Sequence, residues 1–343
     1  MRTSIENWLL RHWYGSHQPP WYLRMLEPLY RSAYLRAQQK QRAQSIESKP
    51  GIPLFVVGNI TAGGSGKTPL VIRLVQLAGE LGLKAGIAST GYGRKSRETV
   101  LVKADSDTLE CGDEPVLLAQ RTGVPVVVSA SRLDAVSTLN AMNLDIVFSD
   151  DGLQHADLLA DIEICVIDGQ RGLGNGHLIP AGPLREPVAR LYSVDHVVCN
   201  GVWAGRPADL AVNVMDLKAV LVRSLDDTAE HTLEEFQEQH GRHGIHAYAG
   251  IGNPQRFFTM LQGVGLDAEA HTYSDHHRFT LQDFSAVAKG ASIVMTEKDA
   301  VKCRTLGLNN AWYVPVETHL PDQFERILKD QMSTLTKDLS DGD

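Results

Sequence analysis

The residues best suited to chemistry form one run, Gly58-Asn59-Ile60-Thr61-Ala62-Gly63-Gly64-Ser65-Gly66-Lys67-Thr68-Pro69. Glycines let successive backbone N–H groups turn inward around phosphate oxygens, the lysine reaches terminal phosphates, and the threonine hydroxyl is placed for Mg2+. Thr61, Ala62, Gly63, Gly64, Ser65, Gly66, Lys67 and Thr68 are therefore the candidate phosphate-binding residues. The pattern G-x-x-x-x-G-K-[ST] wants glycine where Thr61 stands, and the chain has Gly63 and Gly64 instead. The alternative is a glycine-rich turn that binds nothing; Gly-Lys-Thr at the start of a helix favours phosphate.

A phosphate loop needs an acidic partner for its metal at the end of a nearby strand. Asp145-Ile146-Val147-Phe148-Ser149-Asp150-Asp151 supplies an apolar run with a doubled carboxylate at its end. In open α/β sheets ligands bind at the carboxyl ends of strands. An isolated Asp-Asp pair is ordinarily a turn or cap. Beside this loop, one carboxylate is expected to hold Mg2+ through water and the other to orient it or meet substrate, with the choice between Asp150 and Asp151 open.

The elements that must position these groups follow from periodicity. Leu54–Val57 precedes the loop and a helical stretch, Leu70–Gly79, follows it. Short apolar runs at Ala85–Ser89, Val124–Val128, Ile146–Ser149, Ile162–Ile167 and His196–Cys199 alternate with helical stretches, which predicts a mostly parallel α/β sheet buried on both faces. A second set at Ala219–Val222, Ile245–Gly250, Ile293–Thr296 and Trp312–Val316 predicts a smaller α/β unit. The expected division is an arm over 1–45, a P-loop NTPase-like domain over 46–215, a smaller α/β domain over 216–330 and a flexible acidic tail over 331–343.

The chain has 343 residues, 43% hydrophobic and 22% charged, which excludes a disordered or collagen-like class. No run of about 18 uncharged apolar residues predicts a bilayer-spanning helix, and no secretory signal is read at the start. Cys111, Cys165, Cys199 and Cys303 form no C-x-x-C pair, so neither a disulfide framework nor a zinc ribbon is expected. Net charge is uneven. Residues 1–50 carry eight Lys or Arg against three Asp or Glu, whereas the remainder carries 25 against 38. That basic arm also holds Trp8, Trp13, Trp21, Tyr14, Tyr22, Tyr30 and Tyr34. From Trp21 to Arg42 the apolar residues recur at helical spacing, so an amphipathic helix is expected. Its stripe either packs on its own protein or lies in a lipid headgroup boundary.

These motifs resemble a known family closely. The loop from Gly58 to Pro69 looks like the modified P-loop of the tetraacyldisaccharide 4'-kinases of lipid A biosynthesis, in which the departure at Thr61 is normal. The resemblance continues through Gly91-Tyr92-Gly93-Arg94, Gly112-Asp113-Glu114-Pro115, Asp150-Asp151-Gly152-Leu153-Gln154-His155 and Gly182-Pro183-Leu184-Arg185-Glu186-Pro187. It ends in Gly250-Ile251-Gly252-Asn253-Pro254, Asp275-His276-His277 and Thr296-Glu297-Lys298-Asp299, and so covers nearly the whole chain. Thr90 departs from the arginine expected before Gly-Tyr-Gly, which puts a substrate contact there in doubt.

The resemblance implies transfer of the ATP γ-phosphoryl group to the 4'-hydroxyl of an acylated glucosamine disaccharide 1-phosphate, giving lipid IVA. It implies Mg2+ as cofactor and a peripheral place on the cytoplasmic face of the inner membrane, with no nucleic-acid or obligate protein partner. Lys67 would act on the transferring phosphate, Asp113 as general base and His276 as its partner, with His277 the rival. Thr68, Asp150, Asp151 and Glu186 are the implied metal contacts. Tyr92, Arg132, Gln154, His155 and Arg185 are candidates for the sugar and its 1-phosphate. Two features are set aside: His240, His243 and His246 read as a loop rather than a metal site, and Thr296-Glu297-Lys298-Asp299 lacks the order of a guanine-recognition loop. The competing function is a P-loop switch that hydrolyses nucleotide to control a protein partner, with a non-catalytic nucleotide-binding scaffold the weaker alternative.

Overall fold

The computed structural model describes residues 4–15, 17–45, 51–155 and 158–340. Among these, nine strands form one sheet in the order 316–319, 213–219, 196–200, 162–168, 54–58, 146–150, 85–89, 126–128, 100–102. The seven inner strands are all parallel, and an antiparallel strand closes each edge. The apolar runs are continuous because both faces are covered: Leu54–Gly58, Val126–Val128 and Ile146–Asp150 are buried throughout. The helices Lys67–Glu80 and Asp113–Thr122 pack on one face, and Arg132–Asn140 on the other.

A second sheet, six strands among the described residues, runs 230–232, 221–224, 311–314, 292–296, 245–249, 269–272. Its last four strands in that order are parallel. The chain enters and leaves this unit through the edge of the large sheet. Asn213–Ala219 belongs to the first sheet and Leu221–Ser224 to the second; Ala311–Val314 belongs to the second and Val316–His319 pairs back onto 213–219. The expected span of 216–330 for the smaller unit is therefore too long at its C-terminal end.

The flexible tail expected from 331 is also replaced by order. Asp322–Ser340 is a helix whose Phe324, Leu328 and Met332 are buried in the core of the large sheet. Spacings of four residues put these side chains on one stripe, which supplies the tertiary support that a helix end of polar composition lacks alone. Arg73 fastens it with two bonds of 2.8 Å to Glu325. Residues 341–343 of that tail, and the linker expected over 46–50, lie outside the described residues.

The arm is two helices, Ser4–Tyr14 and Trp21–Ser45. The second packs through Glu27, Tyr30 and Tyr34, at helical spacing, onto the segment 177–186. No helix among the described residues is long and apolar enough to cross a membrane.

Candidate active site

The strand Leu54–Gly58 delivers the glycine loop, and Gly66 starts the helix Lys67–Glu80. Gly63 and Gly66 hold φ of 104° and 99°, where a side chain is strained, and a Cβ on Gly66 would stand 2.5 Å from Asn200 Nδ2. The first turn has no side-chain cap, so its N–H groups remain for a ligand. Asn59 organises the loop by donating to the carbonyls of Thr61 and Gly63. Lys67 Nζ folds back to within 3.3 Å of Asn59 Oδ1 and 3.4 Å of Asp151 Oδ1. Ser65 Oγ is buried with no hydrogen-bond partner among the described residues, a polar group awaiting an acceptor or donor.

Asp150 ends the strand Ile146–Asp150, paired in register with Val57 just before the loop. Its Oδ1 is buried without a hydrogen-bond partner among the described residues. Burial, with Glu114 and Asp151 nearby and only partly offset by Lys67, pushes its pKa up to about 7. Asp151, at φ 56°, turns the other way: burial is outweighed by Lys67, Arg185 and Arg132, which hold its carboxyl well below the usual range. A buried carboxyl whose nearby cations do not outweigh its burial fits Mg2+, and Thr68 stands half-buried on the first turn of the helix after the loop.

Asp113 opens the helix Asp113–Thr122, 5% exposed, and His276 comes to it from the smaller unit. His276 Nδ1 is 3.0 Å from both carboxylate oxygens and must donate, because an ionised carboxylate only accepts. Burial would raise the Asp113 pKa, but Lys298, His276 and Lys302 overcome it and hold the carboxyl far below its ordinary range. Burial would lower that of His276; the bond to Asp113 prevails and raises it above 6.5. Lys298 Nζ braces the pair, 2.8 Å from Glu114 Oε1, 3.2 Å from Asp275 Oδ1 and 3.4 Å from His276 Nε2. Asp113 is thus an ionised carboxylate whose charge is balanced by His276, Lys298 and Lys302 of the smaller unit.

A family model described as "LpxK: Tetraacyldisaccharide-1-P 4'-kinase" matches residues 19–333. The chain belongs to the LpxK family. A tetraacyldisaccharide 4'-kinase of Alcanivorax borkumensis is 43% identical over 323 residues, covering 93% of this chain and 95% of the relative. That of Methylobacillus flagellatus is 44% identical over 327 residues, covering 93% and 94%. The solved structure of LpxK from Aquifex aeolicus in complex with ATP is 25% identical with a TM-score of 0.70, covering 91% of this chain and 99% of that one.

Within this LpxK fold the remaining expected residues divide. Tyr92 is 72% exposed and its ring lies 4.9 Å from that of His276, at the lip of the dyad. Arg185 is 3.4 Å from Asp151 Oδ2 and from Gln154 Oε1, and His155 follows on the same turn. Arg132 does not face a substrate: it is 1% exposed and donates to Ala88 O, Ser149 Oγ and Asp151 O, so it holds the strand ends that present the two aspartates. Glu186 is likewise not free for metal, because its oxygens accept from Tyr34 at 2.6 Å and Gln154 at 2.5 Å and it is fully buried. His277 is separated from Asp113 by its own packing, between Tyr273 and Phe279 and 3.3 Å from Asp283.

Residues given no site role from the sequence adjoin these groups. Thr296 caps the helix Glu297–Cys303 that carries Lys298, and Asp299 accepts from Gly250 N. Gly252 lies so close to the loop that a Cβ would stand 2.3 Å from Gly64 N. Arg171 donates to Gly252 O at 2.8 Å and its guanidinium covers Tyr14, whose hydroxyl bonds Ala62 O. The only signal for this junction was the Gly250–Pro254 motif, since lone arginines carry none.

Proposed function

We propose that this chain transfers the γ-phosphoryl group of ATP to the 4'-hydroxyl of tetraacyldisaccharide 1-phosphate, giving lipid IVA. The observation that carries the reading is the Asp113–His276 pair in a chain that also builds a phosphate loop at a helix N-terminus. A switch that hydrolyses nucleotide has no use for a buried carboxylate held by a histidine from another sheet, whereas a sugar hydroxyl needs one acceptor for its proton.

In this mechanism the N–H groups from Thr61 to Thr68 cradle the phosphates and Lys67 follows the γ-phosphoryl oxygens as charge shifts. Asp150 and Thr68 would hold Mg2+, which would supply positive charge to the phosphates. Asp113 receives the proton of the 4'-hydroxyl. Its depressed pKa makes it a weak base at rest, which suits a loose transition state where the alcohol gives up its proton late. His276 orients the carboxylate and supports its charge, so it is a positioning residue. Tyr92, Arg185, Gln154 and His155 line the approach of the sugar and its 1-phosphate, the arginine fork matching a phosphate dianion.

The acceptor is a lipid, and the arm offers a surface for reaching it. Trp21, Met25 and Leu29 are 71%, 66% and 67% exposed on the helix face opposite the one that packs. Aromatic and apolar side chains flanked by Arg24 and Arg31 suit the anionic headgroup region at the cytoplasmic face of the inner membrane. The test is incubation with Mg-ATP and tetraacyldisaccharide 1-phosphate in mixed micelles: a second phosphate on the lipid is expected. ATP hydrolysis with no phosphorylated lipid would restore the switch reading.

A further inference from the structure

The histidine run set aside in the sequence is divided by the fold. His240 stacks on Phe236 and bonds Ser292 Oγ at 2.8 Å, inside the smaller unit. His246 instead lies on the strand Ile245–Ala249, beside the parallel edge strand Glu269–Thr272. Register pairs His246 with Glu269 and Tyr248 with His271. Side chains two apart on a strand share a face, so two imidazoles and a carboxylate converge. His246 Nδ1 is 3.0 Å from His271 Nε2 and 3.5 Å from Glu269 Oε2, and His271 Nε2 is 3.7 Å from Glu269 Oε1.

We propose that His246, Glu269 and His271 bind a zinc-type divalent ion that fastens the edge strand of the smaller sheet. Donor atoms at ~2.0 to 2.2 Å from one tetrahedral zinc lie roughly 3.3 to 3.6 Å apart, so the triangle needs shifts of only a few tenths of an ångström. Two imidazoles with one carboxylate select zinc-class ions over Mg2+, which separates this site from the phosphate loop. The contact between the rings uses one proton, on His246 Nδ1 or His271 Nε2. On metal binding that proton moves to the far nitrogen of the same ring, leaving two neutral ligands and no net proton released. His271 is already held by stacking on Tyr248, with centroids 4.5 Å apart, and Glu269 is 68% exposed and free to swing in. The fourth position is left to water.

The position gives the ion a consequence. The chain passes from Thr272 through Tyr273, whose N–H bonds Ala249 O, directly to Asp275 and His276. Tying the edge strand down would steady the segment that delivers His276 to Asp113.

The experiment uses the full chain, stripped by chelator and titrated with CoCl2 and then ZnCl2 in excess Mg2+. One equivalent of cobalt should show visible d–d bands that zinc removes, and zinc should raise Tm by about 3 °C or more. Hydrogen exchange over residues 270–277 should slow with zinc. His246→Ala and His271→Ala should abolish the bands. Glu269→Gln, at an exposed position that leaves folding intact, should weaken cobalt binding by at least roughly tenfold. Absence of cobalt bands, or bands and stabilisation unchanged in Glu269→Gln and His271→Ala, overturns the proposal.

Discussion

Asp113 and Asp150 are both buried, yet their surroundings drive their protons in opposite directions. Asp113 lies where the two units meet, and Lys298, Lys302 and His276 all come to it from the smaller one. Asp150 lies at the centre of the large sheet, where burial and neighbouring carboxylates outweigh Lys67. Burial alone would raise both; the difference is which region supplies cations. A carboxylate whose charge is already balanced by protein can be aimed at a hydroxyl. One left unbalanced is a seat for a metal ion.

The largest effect that would break this contrast is at Asp113. Asp113→Asn should lower single-turnover lipid phosphorylation by roughly 10² to 10⁴ while the affinity for ATP stays near that of the parent. An unchanged chemical step in a folded variant would remove Asp113 from the mechanism. His276→Ala should slow the same step, and the double variant should be little worse than the poorer single one, because groups acting as a unit are not additive. Multiplicative losses would mean that the pair is not a unit.

Next in size is Lys67→Ala, expected to cost about 10² to 10³ in turnover with circular dichroism unchanged, since one charge on the transferring group is lost. Near-normal turnover would make Lys67 no more than a partner for Asp151.

A thermodynamic prediction separates the two aspartates by sign. With its pKa raised from 3.8 to about 7, Asp150 binds more protons folded than unfolded, so metal-free stability falls as pH rises from about 4 to 7. Asp150→Asn should flatten that fall, and Mg2+ at pH 7 should offset it in the parent. Asp113 runs in reverse: its contribution is present above pH 3.8 and is lost as pH drops below its depressed folded value. His276, raised above 6.5, contributes below that pH and loses its share as pH climbs through the folded value. Melting curves of the metal-free variants across pH read both signs, and parallel curves would contradict the contrast.

The smallest effect is a control that touches neither aspartate. Replacing Trp21, Met25 and Leu29 together by serine should weaken binding to anionic vesicles, and added salt should weaken the parent in the same direction. Phosphorylation of micellar substrate should change little. Equal vesicle binding would assign the exposed face to some other contact.

Much of this arrangement was legible in the sequence. The phosphate loop, the doubled aspartate and the apolar runs are local signals, and a buried parallel strand needs nothing beyond a β-branched run between helices to announce itself. The arm helix was equally readable from spacing, although the helix Ser4–Tyr14 before it was not singled out. The C-terminal helix was misjudged because its polar composition resembled a tail, although Phe324, Leu328 and Met332 keep a four-residue rhythm. The resemblance implies ligand roles for Arg132 and Glu186, but a motif does not encode the burial and internal hydrogen bonds that occupy them.

The sequence by itself determined the phosphate cradle, since its chemistry is carried by contiguous backbone and needs only a strand before it and a helix after it. Tertiary structure alone brings the proposed base to its partner. Asp113 and His276 are 163 residues apart, and the packing of His277 between Tyr273 and Phe279 leaves its neighbour turned toward the carboxylate. Electrostatic state followed the same route: burial and neighbours within the large-sheet unit raise the pKa of Asp150, whereas cations brought by the smaller unit depress that of Asp113, and no spacing along the chain encodes those distances.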